Sequence, residues 1–265
     1  FESYISENFD VSRTLFVSLG ARWIFNERII NDLLSGNLVN FHGSRLPLDA
    51  GGGGFSWRIM RGDRIDNQLV HLVDKGIDTG PILYTQKSLF PRECKVPADF
   101  EKYHRNKFVD FYQEFTQKLK RNTKFLLKYQ VDYLGRYNPR LATDISGWVD
   151  WSWSSLDLTR FIDAFDSPYL GVSTCVNEKR VRLKQVHLHG GEGGNHPFMA
   201  GIVVRHDGNW LVVSTADCNM LLIEEVVDEN EVNIRNDIKA GDRFYTPSNF
   251  LEEARSSRIK FSSKK

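Results

Sequence analysis

The chain has 265 residues and a net charge of +1, with 41% hydrophobic and 26% charged residues, a composition typical of globular proteins with a substantial core. This balance gives no overall field that attracts nucleic acid, and no apolar run approaches the roughly 18 residues that a membrane span needs. Three cysteines without a paired spacing, Cys94, Cys175 and Cys218, fit a reducing cytoplasm and give no zinc signature.

The first predicted elements alternate between strand and helix. Leu15–Leu19 predicts a short buried strand, and Asn26–Leu34 predicts a helix with Asn26 as its N-cap and Gly36 as its stop. Leu38–His42 predicts the next strand. A strand–helix–strand order is typical of a parallel α/β sheet, in which ligands bind at the carboxyl ends of the strands.

An amide and an imidazole lie two residues apart in residues 40–47 (NFHGSRLP). Side chains at positions i and i+2 of an extended segment share a face, so Asn40 and His42 can point into one cleft. Residues 74–81 (DKGIDTGP) predict a tight turn that can return the Asp78 carboxylate to the imidazole. An oxyanion-stabilising amide, a proton-carrying imidazole and an orienting carboxylate are suited to acyl transfer to an amine.

The two motifs resemble those of the folate-dependent formyltransferases, which carry Asn-x-His-x-Ser-x-Leu-Pro followed by Asp-x-Gly-x-Asp-x-Gly. The resemblance places Asn40, His42 and Asp78 on the catalytic residues of that family. It implies N10-formyltetrahydrofolate as formyl donor and no metal. It also implies a Rossmann-like parallel α/β sheet in a catalytic domain at 1–135, whose early strands are expected to be missing because the chain begins in mid-fold.

The resemblance also indicates where the folate would bind. The upstream loop and the aspartate turn would supply backbone groups, and the loop after His42 would shape the pocket. The residues are Arg22, Trp23, Ile24, Phe25, Ser44, Leu46, Pro47, Asp74 and Gly76. Arg45 stands where the family usually has an apolar residue, and a glycine run at 51–54 replaces an Arg-Gly segment. No Lys-Ser or Lys-Thr follows the glycines, so they do not form a phosphate-binding P-loop.

Further elements follow in order along the chain. Phe55–Arg61 predicts a helix, Gln68–Val73 a strand that leads into the aspartate turn, and Ala98–Tyr129 a long helix with apolar residues near helical spacing. A helix from Ser155 to Phe165, capped by Ser154 and Asp157, comes next.

The pattern changes near residue 136 to short β-like runs at 180–187, 200–205, 210–214 and 220–227. We predict a small, mostly β C-terminal domain at 136–265, such as a barrel, which weakly resembles that of methionyl-tRNA and sugar formyltransferases. Three tryptophans, Trp148, Trp151 and Trp153, precede these runs. They favour packing over base stacking.

The identity of the formyl acceptor depends mainly on charge. Residues 141–265 carry 14 Lys and Arg against 18 Asp and Glu, whereas a domain that grips tRNA should be basic. The sequence therefore favours the amino group of a nucleotide-linked amino sugar, which would feed lipopolysaccharide synthesis, over methionyl-tRNA or another amine. A non-catalytic binding protein of the same fold is the alternative from another class, and the intact catalytic set disfavours it. A homodimer formed through the C-terminal domain stays open.

Overall fold

The computed structural model describes residues 2–21, 24–190 and 194–259. The chain divides into two compact units. The first unit comprises Phe1–Gly51, Ile65–Pro91 and Lys102–Asn138. The second unit comprises Gly52–Arg64, Arg92–Glu101 and Pro139–Lys265. The domain limits predicted above, 1–135 and 136–265, stay a prediction.

The helices and strands are numbered in chain order. The α-helices are α1 (Glu2–Asn8), α2 (Gly54–Met60), α3 (Pro97–Lys120), α4 (Thr143–Ser146), α5 (Ser155–Ala164) and α6 (Ser248–Ser256), with a π-helix at Arg28–Leu33. The strands are β1 (Phe16–Leu19), β2 (Leu38–His42), β3 (Ala50–Gly51), β4 (Ile65–Leu72), β5 (Ile82–Leu89), β6 (Tyr137–Asn138), β7 (Val172–Val176), β8 (Lys179–His189), β9 (Val203–Asp207), β10 (Trp210–Ser214) and β11 (Met220–Val227). In the described ranges no helix is long and apolar enough to cross a membrane.

The first unit contains a four-stranded sheet in the order β1-β2-β4-β5. β1 and β2 run parallel and are joined through the π-helix, which confirms the predicted α/β class. β4 and β5 then add in antiparallel pairing. In this register Asn40 lies between Ser18 of β1 and His71 of β4. Polar side chains from three strands therefore meet at one level of the sheet.

Phe41 anchors β2 to the core of this unit. Because side chains alternate along a strand, Phe41 points away from the face that Asn40 and His42 share. Its ring packs edge-on against Phe108, Phe111 and Phe115 of α3, with centroid separations of 5.5–5.9 Å. Burial of these large aromatic side chains contributes about 1.5–3 kcal/mol each and fixes the level of the two polar neighbours.

The predicted helix Ala98–Tyr129 is shorter in the structure and ends at Lys120. Asn122 adopts a left-handed conformation with φ of 52°, which stops the helix. The chain then turns back, and Phe125 packs on Phe115 at a centroid separation of 5.2 Å. The contact of Phe125 with the core therefore ends the helix earlier than the apolar pattern of the sequence predicts.

The second unit is built on a five-stranded antiparallel sheet in the order β7-β8-β11-β10-β9. A short segment at residues 243–245 pairs with both edges of this sheet. Tyr245 exchanges two backbone hydrogen bonds with Cys175 of β7, and Phe244 donates to Gly201 just before β9. The segment therefore closes the sheet as in a barrel.

The helices of the second unit are fixed by caps and close contacts. The predicted capping pair is present, since the Asp157 amide donates to Ser154 Oγ at 3.2 Å and Ser154 Oγ donates back to the Asp157 carboxylate at 2.7 Å. Ser56 of α2 donates to the Ala164 carbonyl at 2.7 Å, which ties α2 to α5. The indole of Trp148 is buried and stacks on Phe250 at 4.2 Å, as expected for packing.

Candidate active site

A cleft of about 290 Å³ opens in the first unit, where the parallel strands β1 and β2 end. Its lining consists of Ser18, Gly20, Ala21, Ile24, Phe25, Asn40, Phe41, His42, His71, Val73, Asp74, Gly76, Ile77 and Asp78. All three predicted catalytic residues line this cleft. They come from two places in the chain, the end of β2 and the turn after β4.

Asp78 lies between two imidazoles. Its Oδ2 is 3.8 Å from His42 Nε2, and its Oδ1 is 3.6 Å from His71 Nε2. The Asn40 amide nitrogen is 3.5 Å from the same Oδ1. These separations are longer than a strong hydrogen bond. The carboxylate therefore holds its partners mainly by charge at the present spacing.

His71 is a site residue that the sequence interpretation missed. Only 2% of its side chain is exposed. Its Nδ1 lies 2.8 Å from the Leu72 carbonyl, which can only accept, so Nδ1 carries a proton. In the neutral ring Nε2 then accepts from the Asn40 amide nitrogen at 3.3 Å. The signal in the sequence is a histidine inside the apolar run that leads to the aspartate turn.

The surroundings of Asp78 keep it ionised. Its contact with His71 is the main cause that lowers the pKa of Asp78 below its ordinary value, while burial opposes the shift. Charge on His42 and His71 and the amide of Asn40 lower it further. The carboxylate is therefore negative throughout the neutral range and can favour a positive charge on His42.

The turn that carries Asp78 requires its acidic and glycine residues. Asp74 Oδ1 accepts hydrogen bonds from the Gly76 amide at 3.1 Å and from Thr79 Oγ1 at 2.6 Å. Asp78 adopts φ of 58°, a conformation that aspartate tolerates better than most residues. A Cβ on Gly80 would lie 1.8 Å from the Leu72 carbonyl oxygen, so only glycine fits there.

The predicted folate-binding residues separate into three groups. Ile24, Phe25, Asp74 and Gly76 line the cleft. Ser44, Leu46 and Pro47 are not part of its lining. Arg22 and Trp23 lie outside the described residues.

The loop after His42 makes its contacts with residues outside the cleft lining. The Ser44 carbonyl accepts a hydrogen bond from Asn67 Nδ2 at 3.0 Å. Leu46 is buried and packs with Leu69 and Ile82. The predicted role of this loop in shaping the folate pocket stays a prediction.

The cleft has features that suit a flat heterocycle. The side chains of Ile24 and Ile77 are 66% and 72% exposed and stand at its edge as apolar surfaces. Polar groups of Asn40, His42 and Asp78 lie inside. Over the part of the chain that the structure describes, no group of three or more His, Cys, Asp or Glu side chains could hold a metal ion.

Comparison with protein families gives a match in the second unit. Residues 143–239 match the family model described as the C-terminal domain of formyl transferases. The matched region includes α4, α5 and strands β7 to β11.

Curated relatives match over most of the chain at low identity. The methionyl-tRNA formyltransferase of Prochlorococcus marinus subsp. pastoris is 22% identical over 247 residues, which cover 89% of this chain and 74% of the relative. Further relatives with the same name are 21–25% identical. The chain spans 60–74% of the length of the first three of these relatives.

Solved structures of similar fold include two sugar-related enzymes. The N-formyltransferase from Helicobacter canadensis, in complex with folinic acid and dTDP-3-aminofucose, has a TM-score of 0.63 at 17% identity, covering 82% of this chain and 76% of that one. WlaRD, a sugar 3N-formyl transferase with dTDP and 5-N-formyl-THF, has a TM-score of 0.61 at 18% identity, covering 80% and 72%. These likenesses establish the fold.

The fold, the Asn-His-Asp cleft and the matched C-terminal region together define a formyltransferase architecture. The chain resembles the folate-dependent formyltransferases in sequence and in fold, as its motifs predict, and its residues 143–239 match their C-terminal domain.

Proposed function

We propose that the protein transfers a formyl group from N10-formyltetrahydrofolate to the amino group of a nucleotide-linked amino sugar. The observation that carries this proposal is the convergence of Asn40, His42 and Asp78 in one cleft, with both Asn40 and Asp78 in contact with the buried His71. In the reaction the amine nitrogen forms a bond to the formyl carbon, and the bond from that carbon to the folate nitrogen breaks.

Each catalytic side chain has a separate task. In the reaction one N–H of the Asn40 amide would leave its 3.5 Å contact with Asp78 and donate to the formyl oxygen as negative charge develops, and one such donor is typically worth about 3–4 kcal/mol. His42 takes the proton that the amine loses and returns it to the departing folate nitrogen. Asp78 stabilises the protonated form of His42 and orients the ring from 3.8 Å.

The donor site follows from the lining of the cleft. Ile24 and Ile77 offer apolar faces to the flat pterin ring, and the backbone of the aspartate turn offers hydrogen bonds to its edge. The two sugar-related structural neighbours were solved with formylated folates. This supports the same class of donor here.

The proposed acceptor rests on the ligands of the structural neighbours and on the charge of residues 141–265. WlaRD is named as a sugar 3N-formyl transferase, and dTDP or a dTDP-sugar is present in both structural neighbours reported above. The excess of acidic residues at 141–265 also disfavours a tRNA backbone. Methionyl-tRNA is the alternative acceptor, because the curated relatives carry that activity in their names.

The proposed setting follows from the acceptor. A formylated amino-sugar nucleotide is a precursor for a surface polysaccharide such as lipopolysaccharide. Nucleotide sugars are made in the cytoplasm, so we propose a cytoplasmic enzyme. The homodimer stays a prediction, which light scattering on the purified protein checks.

The deciding experiment is a formyl-transfer assay on the full-length protein with N10-formyltetrahydrofolate. Amino sugars linked to dTDP and UDP are offered beside methionyl-tRNA, at low and moderate salt. Turnover of one nucleotide sugar with weak salt dependence supports the proposal. Turnover of the tRNA alone, with a steep fall at higher salt, establishes the alternative.

Variants test the site within the same assay. We expect His42→Ala and Asp78→Asn to lower turnover by about 10²–10⁴-fold while the proteins stay folded. Asp110→Asn, on the exposed surface of α3, is the matched control and should retain full turnover. A folded, fully active His42→Ala protein removes His42 from the mechanism.

A further inference from the structure

The turn that carries Asp78 is fastened by a glutamine 52 residues downstream. Gln130 Nε2 lies 2.7 Å from the Asp78 carbonyl oxygen and 2.7 Å from the Gly80 carbonyl oxygen. Carbonyl oxygens only accept, so the amide nitrogen uses one hydrogen for each of them. A glutamine supplies both donors from one atom, and a glutamate supplies none when ionised.

The backbone register places Gln130 at the turn. Lys128 and Ile82 exchange two backbone hydrogen bonds of 2.9 Å in antiparallel pairing. In an antiparallel pair, two residues after Lys128 face two residues before Ile82, so Gln130 lies opposite Gly80. Its side chain can then reach back across the turn to the Asp78 carbonyl.

Asp78 depends on its backbone for its position. Its φ of 58° costs roughly 1–2 kcal/mol for a residue other than glycine. Its carboxylate contacts to Asn40, His42 and His71 span 3.5–3.8 Å, so none of them is short enough to fix the side chain. The two bonds from Gln130 hold the peptide units on the carboxyl side of Asp78, from which the carboxylate takes its direction.

We infer that Gln130 is a positioning residue for formyl transfer, acting through Asp78, an inference that rests on the proposed function. Gln130 belongs to neither of the two motifs and does not line the cleft. Its task is to keep the Asp78 carboxylate between His42 and His71 while the reaction proceeds.

Three variants test this inference. Gln130→Glu keeps the shape and places a negative charge against two carbonyl oxygens. Gln130→Met keeps the approximate length, is neutral and removes both donors. Gln113→Glu makes the same charge change on the exposed face of α3 and is the matched control.

In steady-state kinetics we expect Gln130→Glu and Gln130→Met to lower kcat by about 10–100-fold, the usual cost of displacing a catalytic group by about 1 Å. The KM values should change less than kcat, because Gln130 bonds only the Asp78 and Gly80 carbonyls, while Asp74 holds the cleft-lining start of the turn through Gly76 and Thr79. The kcat of Gln130→Glu, taken relative to that of the unmodified protein at the same pH, should rise as the pH falls towards the ordinary glutamate pKa of about 4.3, because a protonated carboxyl restores one of the two donors. Gln130→Met should not recover, and Gln113→Glu should match the unmodified protein.

A second readout does not depend on turnover. Carbon-13 NMR of the Asp78 carboxyl group, titrated in the unmodified protein and in Gln130→Met, reports how closely Asp78 approaches its partners. We expect the pKa of Asp78 to rise towards its ordinary value in the variant, because the contact with His71 that lowers it is weakened.

The outcomes separate the two proposals. Unchanged kcat together with an unchanged Asp78 titration in Gln130→Met overturns the positioning role. If the unmodified protein formylates no acceptor, the proposed function fails, and the NMR titration still decides whether Gln130 controls Asp78. If Gln130→Glu does not fold, the neutral Gln130→Met variant decides alone.

Discussion

At the residue scale, the site is a carboxylate shared by two imidazoles with an amide beside it. His71 differs from His42 because its Nδ1 is committed to the Leu72 carbonyl and its ring is buried. Its Nε2 is left facing Asn40 and Asp78. His71 therefore orients the amide of Asn40, while His42 is more exposed and can be reached from the cleft.

The contact between Asn40 and Asp78 gives a prediction about two substitutions. Asn40→Asp should lower turnover more than Asn40→Ala, because it sets a second carboxylate about 3.5 Å from Asp78 and against the developing oxyanion. We expect a further loss of about 10-fold beyond that of Asn40→Ala. Single-turnover rates of the two variants provide the comparison, and equal rates would argue against the oxyanion role.

The place of Asn40, His42 and Asp78 in one cleft could be predicted from the sequence, and that of their neighbour His71 could not. Asn40 and His42 sit in one motif, and Asp78 follows in a glycine-rich turn, so local rules suffice for them. The position of His71 opposite Asn40 depends on the pairing register between β2 and β4. Gln130 reaches the turn through a second pairing, with β5. Such registers are set by core packing and are not readable from a local pattern.

At the element scale, the loop after His42 lies against His104, which contacts a buried aspartate. His104 of α3 directs its Nδ1 to Asp66 at 2.7 Å, and the Asp66 side chain is fully buried. A Cβ placed on Gly43 would lie 2.4 Å from His104 Nε2. The end of β2 can therefore approach α3 this closely only because residue 43 is glycine.

This close approach predicts a coupling between two substitutions. Gly43→Ala should destabilise the protein by about 1–3 kcal/mol and displace the His42 loop. His104→Ala removes the obstacle, although it also removes the 2.7 Å contact between His104 Nδ1 and the Asp66 carboxylate. In the double variant the cost of the alanine at 43 should largely disappear. Urea unfolding of the four proteins measures this coupling, and additive costs would contradict the predicted clash.

The N-terminus of α5 is held by Asp217. The carboxylate accepts hydrogen bonds from the Ser155 amide at 3.0 Å, Ser155 Oγ at 2.8 Å, Asn219 Nδ2 at 3.0 Å and Thr215 Oγ1 at 2.6 Å. Burial alone raises the pKa of Asp217, but these hydrogen bonds outweigh it and hold the pKa well below its ordinary value. The ionised form therefore stabilises the fold.

We expect Asp217→Ala to lose about 1 kcal/mol at neutral pH, a modest value because the residue is exposed. For a carboxyl with a depressed pKa, the stabilisation is full above the unfolded pKa of about 3.9 and is lost as pH falls towards the folded value. The stability difference should thus shrink below about pH 4. Thermal unfolding across this range measures it, with exposed Glu229→Ala as control. A difference that stays constant in acid would assign the effect to packing.

The longer elements were predicted well where one pattern dominates. β2, β10 and β11 have the predicted bounds, since each is an apolar run between turn residues. The helix α3 stops nine residues before the predicted end, because Asn122 turns the chain and Phe125 packs on Phe115 in the core. The antiparallel entry of β4 also depends on tertiary pairing rather than on its own residues.

At the scale of the whole molecule, one carboxyl should make the free energy of unfolding fall as the pH rises from about 4 to about 7. Burial, reinforced by Asp166 and Asp99 and partly offset by Lys95, raises the pKa of Asp163 in α5 to about 7. Between the unfolded pKa of about 3.9 and this value the folded state binds more protons, so the free energy of unfolding decreases with pH. Above about pH 7 the folded protein carries a poorly solvated charge.

Asp163→Asn tests this effect. We expect the variant to unfold at a higher urea concentration than the unmodified protein at about pH 8, by up to a few kcal/mol in unfolding free energy. At about pH 4 the two proteins should be nearly equal, because Asp163 is then neutral in the fold. Glu229→Gln, a neutralisation on the surface, controls for net charge. A variant whose advantage is the same at both pH values would show that ionisation of Asp163 is not the cause.

The interleaved composition of the two units has a consequence for engineering. Gly52–Arg64 and Arg92–Glu101 belong to the second unit although they lie in the first half of the chain. α2 within the first of these segments is bonded to α5 by Ser56. Dividing the chain once near residue 136 would therefore separate α2 from the rest of the second unit. Grafting it onto a relative requires three chain segments to be transplanted together, so chimeras with one crossover should be poorly soluble.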